Sequence, residues 1–161
     1  MTSPSAIRRE IKQRRPFTSV AHEAAVGLLR TADLLRRQAS SVVEPHGITL
    51  QQFNVLRILR GAGDAGTPTL EVADRMVEQT PGVTRMLDRL EQKGLVRRQR
   101  CPKDRRQHLC WISEQGVELL ARLDEPVATV NRTSLKGLSG TDQRKLIRLL
   151  DLVRSAHHDT P

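Results

Sequence analysis

Apolar residues recur at three- and four-residue steps in six stretches of the chain, and each repeat predicts a helix with one buried side. Over residues 20–43, Val20, Ala24, Leu28, Leu35, Ala39 and Val42 form a stripe, with Ala32 or Thr31 filling the gap. His22, Glu23, Arg30, Asp33, Arg36 and Arg37 take the other side, and Pro45-His46-Gly47 stops the helix. Thr49 is placed to cap a second helix carrying Phe53, Val55, Leu56, Ile58 and Leu59. A short helix over residues 69–76 turns Leu70, Val72, Ala73 and Met76 inward, and residues 77–79 make a turn. Val83, Leu87 and Leu90, with Met86 beside them, mark the next helix, with Arg85, Asp88, Arg89 and Gln92 on its polar side. Pro81 suits its first turn, Thr80 or Gln79 its cap, and Gly94 a left-handed end.

Two extended runs follow, residues 95–100 and 107–113, joined by the turn-forming and basic tip Cys-Pro-Lys-Asp-Arg-Arg at 101–106. Helix, hairpin and charged tip in that order describe a winged helix, in which a helix enters a major groove and the tip reaches the neighbouring minor groove. Ser113 then caps a helix with Val117, Leu120, Leu123, Val127 and Val130 inward. Pro126 lies inside that repeat and predicts a kink or a break. Ser139 and Asp142 restart a last helix with Leu146, Leu149, Leu150 and Val153, ending near Ala156. The trailing His157-His158 pair reads as an exposed tail, with metal binding as the alternative. The expected fold is mainly α with a small β-hairpin wing. The boundaries are 1–18 for a basic N-terminal arm, 19–47 for the first long helix, 48–113 for the winged helix-turn-helix and 114–161 for the last helices.

The first long helix has more apolar face than so small a domain covers, so a partner helix from a second subunit is expected. With 37% apolar residues, two Phe and one Trp in 161, the core must come from Leu, Val, Ile and Ala. The net charge of +9 lies wholly in two segments. Arg8, Arg9, Lys12, Arg14 and Arg15 against Glu10 give one; Arg97, Arg98, Arg100, Lys103, Arg105 and Arg106 against Asp104 give the other. Charge placed this way points to a polyanion held at defined places. The N-terminal run is either a basic arm on phosphates or a minor groove, or a solvated tail.

Enzymatic motifs are missing: there is no H-E-x-x-H, G-x-S-x-G or Cys-x-x-Cys, and the five histidines are scattered. Gly61, Gly63 and Gly66 satisfy G-x-G-x-x-G, but a helical repeat precedes them and Thr67-Pro68 follows, so a flexible turn is expected. No apolar run spans a bilayer and no signal segment opens the chain, which with only two cysteines fits a reducing bacterial cytoplasm and association with the nucleoid. If the hairpin turns around Asp104, Cys101 stands roughly opposite His108, while His108, Cys110 and Ile112 share a face. Cys110 is then a small core residue. Cys101, among Arg98, Arg100 and Lys103, is the candidate for redox chemistry, with a structural role as its alternative. Two thiols and one histidine fall one ligand short of a zinc site. Trp111 points to the opposite face, either wrapping the hairpin base or exposed.

The strings Val83-Thr84-Arg85, Asp88-Arg89-Leu90-Glu91, Lys93-Gly94-Leu95-Val96, and Pro102 to Arg106 followed by Ile112-Ser113 resemble the MarR family of bacterial transcription regulators. Leu50-Gln51-Gln52-Phe53 with Val55-Leu56 adds to the likeness, which spans roughly residues 20–155. The resemblance implies a homodimer on a near-palindromic operator in double-stranded DNA. It further implies dimerisation through the first long helix and the last two, and a repressor released by a small ligand or an oxidant; the alternatives are a nonspecific, architectural nucleic-acid binder and a cysteine-based redox-sensing regulator. Two half-sites would stand roughly 34–36 Å apart. Candidate DNA contacts are Thr80, Pro81, Gly82, Thr84, Arg85, Arg89, Arg98, Lys103, Asp104, Arg105 and Arg106. Asp104 is expected to pair with Arg106 and aim it. The family's ligand cleft, between dimerisation helices and DNA-binding lobe, implicates His22, His46 and Phe53. Glu78 departs from the pattern, standing where an apolar residue is usual, and is expected to loosen the turn. No cofactor or metal is implied.

Overall fold

The computed structural model describes residues 5–102, 104 and 106–158. Lys103 and Arg105 lie outside the described residues, as do the side chains of His157 and His158. In chain order the elements are α1 (Ala6–Glu10), α2 (Val20–Val43), α3 (Leu50–Ala62), β1 (Thr67–Pro68), α4 (Thr69–Asp74) and α5 (Val83–Gln92). Then come β2 (Val96–Arg100), β3 (His108–Ile112), α6 (Glu114–Ser134) and α7 (Gly140–His158).

The helix ends follow from local chemistry. The Ser19 hydroxyl accepts the His22 N–H and starts α2, and Pro45 with Gly47 at φ 77° ends it. Thr49 and Gln52 form a reciprocal capping box on α3. Ser113 caps α6 through the Gly116 N–H, and its hydroxyl donates to the Gly94 carbonyl, fastening α6 to the hairpin base. Ser139 accepts the Asp142 N–H at the start of α7. Of the kink or break expected at Pro126, the break is absent, since α6 runs from Glu114 to Ser134 through it. Pro126 faces solvent, as does Arg122, whose carbonyl loses its partner, while the next residue, Val127, is buried. Packing on one side keeps the helix whole.

The core is one cluster. Val55, Leu56 and Leu59 of α3, Val72 of α4, Leu87 and Leu90 of α5, Cys110 of β3, and Leu120 and Leu123 of α6 are all but sealed from solvent. Each leucine so buried contributes about 1.5–3 kcal/mol. The single chain leaves other apolar residues uncovered: Val20, Leu28, Leu29 and Leu34 along α2, and Ile147, Leu149, Leu152 and Val153 along α7. No helix among the described residues is long and apolar enough to cross a membrane.

The sheet has three strands in the order β1-β3-β2, all antiparallel. The expectation was a two-stranded hairpin; β1, immediately after the glycine-rich turn, adds to its inner edge through Thr67 opposite Cys110. The register corrects a second expectation. Arg100 faces His108, and the Cys101 N–H donates to the Gln107 carbonyl, so Cys101 stands opposite Gln107 rather than His108.

Candidate nucleic-acid interface

Gly82 occupies the N-cap of α5 at φ 88°, in the left-handed region, and the helix begins at Val83. Pro81 therefore precedes the helix instead of opening it. Thr80 is no cap, because its hydroxyl donates to the Glu78 carbonyl. From Val83 onward the two faces separate cleanly: Val83, Leu87 and Leu90 are buried, while Thr84, Arg85 and Arg89 are exposed. Among the described residues, Arg85 and Arg89 form no ion pair. Both line an open notch of about 320 Å³, together with Thr80, Gly82, Thr49 and Gln51. Thr49 and Gln51, at the start of α3, were not among the sequence-based candidates; the cap at Thr49 was visible, the nearness of both residues to α5 was not.

The turn before α5 is fastened by three side chains from two other helices. Asn54 of α3 accepts the Val77 N–H at 2.9 Å. The Glu78 carboxylate accepts the Arg36 guanidinium of α2 at 2.6 Å and the Gln51 amide of α3 at 3.3 Å. Glu78 therefore tethers this turn, contrary to the loosening expected of it. The hydrogen bond and the charge of Glu78 raise the Arg36 pKa further above its usual value.

In the wing, Arg97, Arg100 and Arg106 are exposed. Arg98, expected to touch DNA, is turned under the hairpin: only 10% of its side chain is exposed, and it pairs with Asp88 of α5. At the tip, the Asp104 carboxylate accepts the backbone N–H of Arg106 at 2.9 Å. Asp104 thus shapes the turn through the backbone, and the side-chain pair expected with Arg106 is absent. Trp111 wraps the hairpin base. The Arg97 guanidinium lies 4.9 Å over its ring, and its indole N–H donates to the Asp64 carbonyl at 3.0 Å. The ring presses so closely on the glycine-rich turn that a Cβ on Gly66 would lie 2.4 Å from it. The turn holds a 3-10 segment, Gly63–Ala65, and the next α-helix starts only at Thr69, past the glycines.

Cys110 is 1% exposed and part of the core. Burial raises its thiol pKa, against smaller opposing effects from Thr69 and Arg98. Cys101 is half-buried and free. Among the described residues no group of His, Cys, Asp and Glu could hold a metal ion.

The three candidate ligand residues are not brought together. His22 contacts Phe17 edge-on at 5.3 Å and the Thr18 hydroxyl at 3.0 Å, at the start of α2. His46 lines an open depression with Lys93, Glu118 and Arg122. Phe53 lines a separate cavity of about 180 Å³ between α2, α3, the Glu78 turn and α6. That cavity has apolar walls from Ala39, Leu50, Met76 and Val127, with Gln51, Asn54, Arg57, Glu78 and Asn131 as its polar groups. Arg57 lies over the Phe53 ring at 5.9 Å. The N-terminal basic run packs on α2, where Glu10 pairs with Arg30 at 2.9 Å.

The model of the MarR family matches residues 48–108. The chain is 36% identical to the MarR transcription factor of Planctomyces limnophilus over 85% of this chain and 99% of that one, with a TM-score of 0.66. It is 25% identical to the PcaV transcriptional regulator of Streptomyces coelicolor, solved with its natural ligand, over 87% and 94% of the two chains (TM-score 0.69). A further MarR family regulator of Streptomyces coelicolor, solved with DNA, shares the fold at 19% identity, 89% and 92% coverage and a TM-score of 0.77.

Proposed function

Because the chain belongs to the MarR family of transcription regulators, which bind DNA and are not enzymes, we propose that it is a homodimeric, sequence-specific repressor released by a small ligand. The observation that carries the reading is the exposed face of α5, where Arg85 and Arg89 stand without carboxylate partners over a notch wide enough for a backbone phosphate. Thr49 and Gln51 would hold that phosphate from the start of α3, while Arg85 and Arg89 reach base edges or a second phosphate. Arg100 and Arg106 would follow the wing into the adjacent minor groove. The uncovered apolar residues of α2 and α7 support a dimer through those helices. The protein would act in a bacterial cytoplasm and sit on the nucleoid while bound.

The cavity beside Phe53 is the ligand site of this reading. Its volume suits a compound smaller than a typical drug. Apolar walls with the Arg57 guanidinium and three amides, and with the Glu78 carboxylate already engaged by Arg36 and Gln51, favour an apolar body bearing an acidic group. An oxidant acting at Cys101 is the competing signal.

Selection of duplexes from a random-sequence pool tests the proposal. A recurring near-palindrome, bound with a specificity ratio of about 10³ or more over random DNA, is expected. A ratio near one identifies an architectural binder. Light scattering should give twice the chain mass. Small acidic aromatics should release the DNA from the parent and not from Arg57→Met. If peroxide releases it from the parent and not from Cys101→Ser, the oxidant reading replaces the ligand.

A further inference from the structure

Among the described basic residues of the hairpin, Arg98 is set apart. Arg97, Arg100 and Arg106 stand in solvent; Arg98 lies beneath the sheet, nine-tenths buried. Strand alternation puts it there, on the face of the buried Val96 and opposite Cys110 of β3. From that position it reaches back to α5, pairing with Asp88, with Glu91 at 3.9 Å on the next turn. Its Nε–H is buried and has no hydrogen-bond partner among the described residues. Leaving a donor dry is unfavourable, so a guanidinium is a poor filler for this place.

The covalent connection between α5 and β2 is only the short turn through Gly94 and Leu95. Two DNA-reading elements joined by a short turn can still splay. We propose that Arg98 is a positioning residue: through Asp88 it fixes the angle between α5 and the wing, so that both meet the duplex together, and it does not touch DNA itself. The proposal rests on α5 and the wing being the DNA-binding elements. The wing's contribution is intramolecular only while its geometry is held; once it swings, the wing must be placed anew at each encounter. Asp88 makes the claim sharp. A carboxylate on a helix facing phosphates opposes binding, so charge alone says its removal should tighten the complex.

The experiment measures affinity by fluorescence anisotropy, using a duplex the parent has selected from a random pool and, beside it, a random duplex. Asp88→Asn, with a half-exposed side chain, should fold like the parent yet bind about tenfold more weakly, against the sign of simple electrostatics. Arg98→Lys should fall between parent and Arg98→Met. In an Arg106→Ala background, Arg98→Met should add less than about twofold, because the wing contact it would misplace is already gone. Melting without DNA separates folding from binding; if Arg98→Met does not fold, Asp88→Asn and Arg98→Lys decide. Asp88→Asn binding as tightly as the parent, or more tightly, overturns the proposal. So do losses for Arg98→Met and Arg106→Ala that simply multiply, as for two independent contacts. A parent that binds neither duplex refutes the underlying DNA-binding assignment instead.

Discussion

The Glu78 carboxylate accepts the Arg36 guanidinium at 2.6 Å, and this contact joins the long helix α2 to the turn that leads into α5. The turn also forms one wall of the cavity beside Phe53. Anything that reshapes the cavity therefore acts on the segment immediately before α5, the helix proposed to read DNA, and the Arg36 contact passes the change to α2. A ligand shifts such a system only if it favours one arrangement over the other.

Removing the tether gives the first test. Glu78→Leu keeps a side chain in the cavity wall but removes the carboxylate that holds Arg36 and Gln51. Hydrogen exchange at the amides of residues 77–83 should quicken several-fold, with α3 and α6 unaffected. Unchanged exchange in that segment would show that the Val77–Asn54 hydrogen bond alone holds the turn.

The glycine-rich turn offers a graded pair of substitutions. Gly63 (φ 67°, ψ −149°) and Gly66 (φ 75°, ψ 149°) both occupy backbone conformations that suit glycine. Alanine at Gly63 meets open space, so it should cost about 1–3 kcal/mol in urea unfolding, from backbone strain alone. Alanine at Gly66 adds a collision with the Trp111 ring and should cost more. Equal losses would mean that the ring moves aside freely.

These two positions also show what was legible in the sequence. The motif's failure as a nucleotide site could be argued from its neighbours; its docking against Trp111 could not, because the two lie far apart in the chain. Strand β1 was invisible for a related reason: Thr67–Pro68 is too short to show a period and exists only by pairing with β3. The caps at Thr49, Ser113 and Ser139 were plain, since each depends on residues three positions away. Arg98 was hidden among like charges, although alternation from Val96 carried the signal. Glu78 was misjudged because its partners, Arg36 and Gln51, come from other helices.

The bidentate pair between Arg60 of α3 and Asp124 of α6, at 2.8 and 2.9 Å, gives a pH-dependent prediction. Hydrogen bonding from Arg60 holds the Asp124 pKa below its ordinary value. Its stabilising effect is therefore present above the ordinary aspartate range and fades as pH falls through the lowered folded value. Both groups are more than a third exposed, so Asp124→Asn should cost no more than about 0.5–1 kcal/mol at pH 7. The difference from the parent should vanish in strong acid. A gap that persists there would assign the effect to packing.

The two thiols should react in order. Cys110 is sealed in the core and its pKa is raised by burial, so little thiolate is available. Iodoacetamide should modify Cys101 in the native protein and reach Cys110 only on unfolding. Peptide mapping after timed quenching checks this; early labelling of Cys110 would reveal that the sheet opens readily.

Trp111 is the chain's single tryptophan, and there is no tyrosine. It sits at the hairpin base beneath Arg97 and against the Gly66 turn. Light absorbed at 295 nm is thus emitted from one known place. A change in emission colour when a compound enters the Phe53 cavity, which Trp111 does not line, would be an optical record of the wing answering, obtained without a dye.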